Sequence, residues 1–531
     1  MKPAPSSVLQ GSRRHTPWML VLQRRKSIGA RRLATQVEHS TAFPDDKQRH
    51  QGKERVVILG SGWGGYSLSR RLSPSKFAPL IISPRSYFVF TPLLTDAAGG
   101  SLDFSNIVEP VRDCRARVDF IQAAARAVDF DRKTILCEAT VVKSGVTESP
   151  RTDEAGGVVS TMAKRRWEAG ETFTLPYDKL VIAVGTVTKT FNTPGVRENA
   201  LFFKDIGDAR RVRRRVRECF ELAVLPTTAP EMRKWLLHFA IVGAGPTGTE
   251  LAASLRDFIY RDLMRLYPNL AGIPRITLYD VAPTVLSMFD ERLAAYAMET
   301  MKKEGITIKT SHHMDPKRCL TLTTKEEGEV GVGMCVWATG NKMNEFIRNS
   351  LEEVDVFPSA SAVAKGGKIQ EENSSWKVKK GPNGALLVDG RLRVQLASDN
   401  NGQTAILRDV FALGDNAMPE TGAPPATAQA TFQEAKWLAA RLNADDIEQA
   451  PPFSFRNMGT LAYIGDARAL MQLPHEDGKR YKYLPHGLTG RMAWLVWNSA
   501  YLTMSISWRN RLRVAFRWLL NNLFGRDVSR Y

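Results

Sequence analysis

Short aliphatic runs that end in glycine recur along this chain, and they fall into two matching sets. Val56-Val57-Ile58-Leu59 runs into Gly60, and Phe239-Ala240-Ile241-Val242 runs into Gly243. Apolar runs without alternation predict strands buried on both faces, as in a parallel sheet covered by helices. A helical pattern follows each, the first through Tyr66, Leu68 and Leu72, and a second strand comes next: Ala78 to Ser83 in one set, Ile276 to Tyr279 in the other. Leu180 to Val184 and Asp409 to Leu413 supply later strands of the first set, and Met334 to Ala338 closes the second. The pattern predicts an α/β protein of two Rossmann-like dinucleotide-binding domains, one inserted in the other. The expected boundaries are 54–205 with 385–450 for the outer unit, 206–384 for the inner, and 451–531 for a C-terminal region.

Both strand-to-helix turns carry the same glycine spacing. Gly60-Ser61-Gly62-Trp63-Gly64-Gly65 and Gly243-Ala-Gly245-Pro246-Thr247-Gly248 each place glycine at the tight turn, at the point of closest approach to a diphosphate, and where helix packs on strand. The second unit ends its second strand in Asp280, whose carboxylate suits the two hydroxyls of an unphosphorylated adenosine ribose and opposes a 2′-phosphate, so NADH is expected over NADPH. In the first unit Ser83, Pro84 and Arg85 stand in that place. Either Ser83 and Arg85 hold the ribose, or the first turn is only a close-packed one. Ser86 to Gly100 reads as an irregular apolar covering loop, 141–171 as a hairpin excursion, and 350–383 as a surface insertion. The six arginines between Arg210 and Arg217 read as a solvated helix surface.

A length of 531 residues calls for more than one core, and 43% apolar with 24% charged residues is a globular composition. The net charge of +19 is partly local: residues 1–40 hold eight Lys or Arg against Glu38 alone, +7, leaving +12 for the remainder. That Arg- and Ser-rich leader, taken as 1–45, fits a mitochondrial presequence, and no nucleic-acid partner is expected. Cys114, Cys137, Cys219, Cys319 and Cys335 show no metal-ligand spacing and no C-x-x-C, so neither a metal nor a disulfide framework is expected. No run reaches the ~20 apolar residues of a spanning helix. From Arg509, however, Leu512, Phe516, Leu519, Leu520 and Leu523 share one helical face beside Arg513 and Arg517, with Trp494, Trp497, Trp508 and Trp518 nearby. Such a helix suits either an anionic lipid surface or packing across a homodimer.

These motifs resemble the two-dinucleotide-domain flavoproteins, and more closely the mitochondrial type II NADH dehydrogenases of fungal kind, single-chain NADH:ubiquinone oxidoreductases. The resemblance rests on Gly60 to Gly65, Ile82 to Leu94, Gly245 to Gly248, Trp337 to Asn341, Ala412 to Ala417 and Pro425 to Ala435, and runs from about residue 54 to the C-terminus. Mitochondrial members share the Ser-Pro-Arg strand ending, which removes the objection to the first unit. The resemblance implies FAD in the first unit, with Gly185, Gly414 and Asp415 among its contacts, and NADH in the second, with Ala338, Thr339 and Gly340. Electrons would pass from NADH through FAD to ubiquinone at the inner membrane without proton pumping. Glu250 matches the family's carboxylate beside the nicotinamide. Gln429 and Gln433, at i and i+4, match the amides on the quinone side, with Thr431 replacing an alanine and Phe432 standing where relatives often carry histidine.

Other readings are weaker. A disulfide reductase of this fold needs a redox cysteine pair, and a sulfide:quinone oxidoreductase needs cysteines and no Asp280. A flavoprotein of the apoptosis-inducing kind, turning over NADH slowly, would not call for the Gln429 to Gln433 face. No inserted calcium loop is visible.

Overall fold

The computed structural model describes residues 52–112, 117–141, 170–312, 314–318, 321–354, 356–364, 375–399, 402–420, 422–474, 487–504 and 507–526. The leader, residues 142–169, Cys114 and Cys319 lie outside them.

The two units share the order of four parallel strands. In the first, parallel strands lie in the order Asp119–Ile121, Phe77–Ile82, Glu54–Leu59, Lys179–Ile182, Thr404–Ala412. In the second the order is Ile306–Lys309, Arg275–Tyr279, His238–Val242, Met334–Trp337, Leu201–Phe202, again all parallel. The first is the 3-2-1-4-5 arrangement of a nucleotide-binding sheet, whose carboxyl edge carries the ligand; the second shares the 3-2-1-4 part, and its outer place is taken by Leu201–Phe202, which precedes the other four in the chain. Val56, Val57, Ile58 and Ile241 are fully buried, as the unalternating runs require. In both units the step from third to fourth strand carries an antiparallel three-stranded meander. The first is Ala123–Asp129, Thr134–Ala139 and Thr172–Pro176, so the excursion expected at 141–171 does connect a hairpin.

The stretch 350–383 differs from its expectation as a surface insertion. Glu353–Val354, Ala362–Ala364 and Trp376–Val378 all join the first sheet, with Ala362 opposite Leu407 and Trp376 opposite Ser398. Trp376 is buried against Phe357. The return to the first unit therefore comes by residue 353 rather than 385, and the inner sheet already begins at Leu201. Residues 86–100 are also more regular than expected: Tyr87–Val89 pairs with Val108–Pro110, and a short helix covers Leu94–Ala98.

The arginine-rich helix Ile206–Val224 starts with a capping box between Asp205 and Asp208. Its arginines are not one solvated face. Arg213 is buried against the Phe104 ring, Arg217 lies over Phe258, and Arg215 donates to Gly333 O at 2.9 Å. The helix carries Val212, Val216 and Phe220 into the core, so the arginines beside them must fold back over rings.

The C-terminal region is a three-stranded antiparallel sheet, Thr460–Gly465, Arg468–Gln472 and Gly487–Thr489, followed by helices Gly490–Met504 and Trp508–Phe524. Trp497 is not an interface aromatic as expected, because it is buried among Tyr463, Tyr501 and Trp518. Trp508 is exposed. No helix of the described residues is long and apolar enough to cross a membrane.

Candidate active site

The two glycine turns are near copies in space. Gly60 takes φ +109° and Gly243 φ +108°, and each N–H bonds the end of its neighbouring strand, at Ile82 O and Tyr279 O, 2.8 Å in both cases. A Cβ on Gly65 would meet Gly60 O at 1.9 Å, and one on Gly248 would meet Gly243 O at 1.8 Å. The middle glycines are different: nothing lies within 4 Å of a Cβ built on Gly62 or Gly245. Both turns thus keep open space where a diphosphate would approach the backbone at the start of a helix.

The carboxyl edges of both sheets open on a single cavity of about 1070 Å³. From the first turn, Gly60, Ser61, Gly62, Trp63 and Gly64 line it, while Gly65 is spent on packing. Ser83, Arg85, Gly185, Gly414 and Asp415 line the same side. Ser61 and Ser83 are tied to each other, Oγ to Oγ, at 3.0 Å, and Ser61 lies 3.1 Å from both Arg85 O and Tyr87 O, so these hydroxyls shape the strand end. The second unit contributes Thr247, Glu250, Ala338, Thr339 and Gly340. Gly243, Gly245, Pro246, Gly248 and Asp280 stand outside the lining. Asp280 braces its own turn: one carboxylate oxygen accepts from Ala244 N–H, and the other from Ala282 N–H at 2.8 Å.

Glu250 sits one turn into the helix Pro246–Asp257, almost wholly buried, and burial pushes its carboxyl up to about 8 against the opposing pull of the Tyr463 N–H, which donates to Oε1 at 3.1 Å. Asp96 also raises it and is itself lifted by burial to about 6, with Arg526 pulling the other way. A neutral carboxyl is therefore available at the cavity wall at physiological pH. Cys137, Cys219 and Cys335 are buried free thiols that burial raises to about 12, which agrees with the expectation that they are ordinary thiols.

Residues 54–358 match the family model of pyridine nucleotide-disulphide oxidoreductases, and 457–527 match that of the NDH2 C-terminal domain. A probable NADH dehydrogenase of Dictyostelium discoideum is 33% identical over 90% of this chain and 91% of its own length. The mitochondrial external NADH-ubiquinone oxidoreductase 2 of Saccharomyces cerevisiae is 33% identical over 93% of this chain and 85% of its own. The chain belongs to the type II NADH dehydrogenases. The solved structure of Plasmodium falciparum NDH2 in complex with NADH shares the fold, with TM-score 0.70 and 23% identity over 90% of this chain and all of that one.

The two glutamines carried over from the type II dehydrogenases lie outside the lining of this cavity. Gln429 and Gln433 do share a face of the helix Ala428–Ala444, but that face turns from the cavity toward residues 456–459. Gln433 donates to Arg456 O at 2.8 Å and accepts from Arg456 N at 3.0 Å; Gln429 donates to Gly459 O at 3.3 Å and accepts from Met458 N at 3.2 Å. Phe432 is covered by the Arg71 guanidinium, 4.6 Å from the ring centre. The cavity is met by the adjacent face, through Thr427, Ala428 and Thr431. Thr431, the departure from the family pattern, is the member that lines it. Lys204, Asp205, Thr186 and Tyr87 also line the cavity and were not singled out from sequence. Lys204-Asp205 at the cap of a predicted helix was the available signal.

Proposed function

We propose that this chain oxidises NADH and reduces ubiquinone through one continuous cavity shared by its two nucleotide-binding units, and that this shared cavity is the observation that carries the reading. As a type II NADH dehydrogenase it is an FAD-dependent, non-proton-pumping NADH:ubiquinone oxidoreductase of the mitochondrial inner membrane. The open space at Gly62 and the positive-φ turn at Gly60 fit the FAD diphosphate, and Asp415 and Arg85 stand where its polar chain would run. The second turn, Asp280 and the Ala338 to Gly340 wall fit NADH. FAD supplies the step from two-electron hydride acceptance to electron delivery.

The protein's own part is positioning, exclusion of water and proton supply. NADH, one proton and quinone give NAD⁺ and quinol, so each turnover takes up one proton. Glu250 holds a proton at Oε2 while Tyr463 N–H holds Oε1, and we assign it the delivery of that proton at the cavity wall. Gly414 N–H donates to Glu434 at 2.6 Å, which keeps the turn next to Asp415 in place.

The C-terminal helix supplies the membrane contact in this reading. Leu512, Phe516, Leu519 and Leu523 are exposed on one side of Trp508–Phe524, and Met492 and Leu495 are exposed on the preceding helix. With Arg511 and Arg513 beside them, they suit the headgroup layer of an anionic bilayer. A homodimer joined through the C-terminal regions would set both stripes on one lipid face.

The deciding experiment measures NADH oxidation by purified, flavin-loaded protein with and without a short-chain ubiquinone. Fast quinone-dependent turnover is expected. A bound flavin that NADH reduces and quinone fails to reoxidise would overturn the reading in favour of a slow signalling flavoprotein.

A further inference from the structure

We propose that Lys204, a residue of the second unit, holds the flavin of the first: with Thr186 it sets the Asp415 carboxylate, and its free N–H faces the ribityl and diphosphate chain. This rests on the assignment of FAD to the first unit.

The main chain at Lys204 is fixed. It follows the strand Leu201–Phe202 of the second sheet, and the N–H groups of Lys204 and Asp205 both donate to Asp208, at 2.8 and 2.9 Å, in the capping box of Ile206–Val224. From there the side chain crosses into the first unit. Nζ donates to Thr186 Oγ1 at 3.0 Å and to Thr186 O at 3.3 Å, and Thr186 Oγ1 donates in turn to Asp415 Oδ2 at 3.1 Å. Lys204, Thr186 and Asp415 all line the cavity.

An ammonium has three N–H groups, and Thr186 takes two of them. Among the described residues no carboxylate lies within ion-pair distance of Nζ. The neighbouring cavity cation, Arg85, is already paired with Asp205 at 3.4 Å, and Tyr87 OH donates to the same carboxylate at 3.4 Å. Lys204 is thus the cation on this side of the wall whose charge is not closed by a direct partner. Burial disfavours that charge, and Asp415, acting across the Thr186 hydroxyl, favours it. A half-buried ammonium with an unspent donor is stabilised by an anionic or polyhydroxyl ligand set against it. The dinucleotide chain expected beside Asp415 offers both. The consequence is that flavin binding draws on both units, so a second-unit residue helps to hold a first-unit cofactor.

The test uses full-length, flavin-loaded protein carrying Lys204→Met or Lys204→Arg. Flavin release is followed by its fluorescence on dilution into flavin-free buffer and on heating, and polypeptide unfolding by far-ultraviolet circular dichroism on the same samples. Lys204→Met should release flavin about tenfold faster, from loss of a charged hydrogen bond, with release preceding unfolding and excess FAD restoring the unfolding temperature. Lys204→Arg should stay within about threefold of the parent, because the charge and a donor remain. Should release and unfolding shift together with no rescue by FAD, Lys204 is only a pin between units and the proposal falls. If Lys204→Met does not fold, Thr186→Val breaks the bridge to Asp415 and should also speed release; unchanged release there overturns the proposal. A parent protein that binds no flavin would sink the functional reading itself, whereas a flavin-loaded parent with an equally retentive Lys204→Met variant sinks Lys204 alone.

Discussion

Tyr463 meets Glu250 through its main chain, its N–H donating to Oε1 at 3.1 Å, while its phenol hydroxyl donates to Asp257 seven residues further along the same helix. A strand of the C-terminal region therefore grips both carboxyls that the second glycine-turn helix directs inward. Asp257 is also held by Arg256 at 3.1 Å, and burial together with Asp257 keeps the Tyr463 hydroxyl protonated far above its usual range. The C-terminal region thus braces, from behind, the helix that brings Glu250 to the cavity wall.

The Glu250 carboxyl gives a pH dependence with a definite sign. Its folded-state value, about 8, lies above the ordinary 4.5, so its contribution to stability is full below pH 4.5 and is lost as pH rises through 8. Asp96 acts in the same direction between 3.8 and about 6. Glu434, lifted by burial to about 7, adds a loss of the same sign up to that pH, and between 7 and 8 Glu250 is the main carboxyl of these three still losing its proton. The thermal midpoint of the parent should fall from pH 6 to 8, and that of Glu250→Gln should fall less steeply, most visibly above pH 7. Equal slopes would show that Glu250 is not the group responsible.

Gln433 and Gln429 are expected to act on docking rather than on quinone. Each amide makes two main-chain hydrogen bonds to residues 456–459, so Gln433→Ala should cost about 1–3 kcal/mol of stability. The KM for a short-chain quinone should change less than about twofold, since an amide whose donor and acceptor both bond the main chain leaves little binding energy for a substrate to lose. A quinone KM raised tenfold or more at unchanged stability would put the amide back at the quinone.

What the sequence made legible was what is locally encoded. The strand–glycine–helix pattern names both turns, because a buried apolar run, a positive-φ glycine and a close-packed third glycine are all fixed within ten residues. Asp280 and the Leu512 to Leu523 stripe follow from the same short-range logic. Long-range choices were not legible. Nothing near Ala362 announces Leu407 as its partner, so 350–383 looked like an excursion rather than sheet. A helix pattern puts Gln429 and Gln433 on one face but does not say which neighbour that face meets, and here residues 456–459 claim it. For the same reason Arg213 and Trp497 read as surface residues until the rings that bury them are placed.

Asp280→Asn tests the coenzyme preference and the turn together. Each Asp280 oxygen already accepts one main-chain N–H, which leaves a lone pair apiece for ribose hydroxyls. The amide loses the charge and one acceptor, so kcat/KM for NADH should fall about tenfold, NADPH use relative to NADH should rise, and the thermal midpoint should drop. A lower midpoint with an unchanged coenzyme ratio would confine Asp280 to bracing the turn.

The lipid-facing stripe has to be tested by point changes, because the helix that carries it also belongs to the core. Val514 is fully buried, Asn510 donates to Val108 O at 3.0 Å, and Arg526 donates to Gly99 O at 2.9 Å and pairs with Asp262 at 3.4 Å. Removing 509–531 would strip those contacts from the wall that holds Asp96 and would destabilise the cavity along with any anchor. Leu512 and Phe516, by contrast, are 67% and 61% exposed, so Leu512→Glu with Phe516→Glu disturbs no packing. Losing two inserted apolar side chains should weaken binding to anionic vesicles by about a hundredfold. NADH oxidation with a soluble acceptor and the thermal midpoint should stay at parental values. Vesicle binding that survives the double change would move the membrane contact to another surface and leave the stripe to a second copy of the chain.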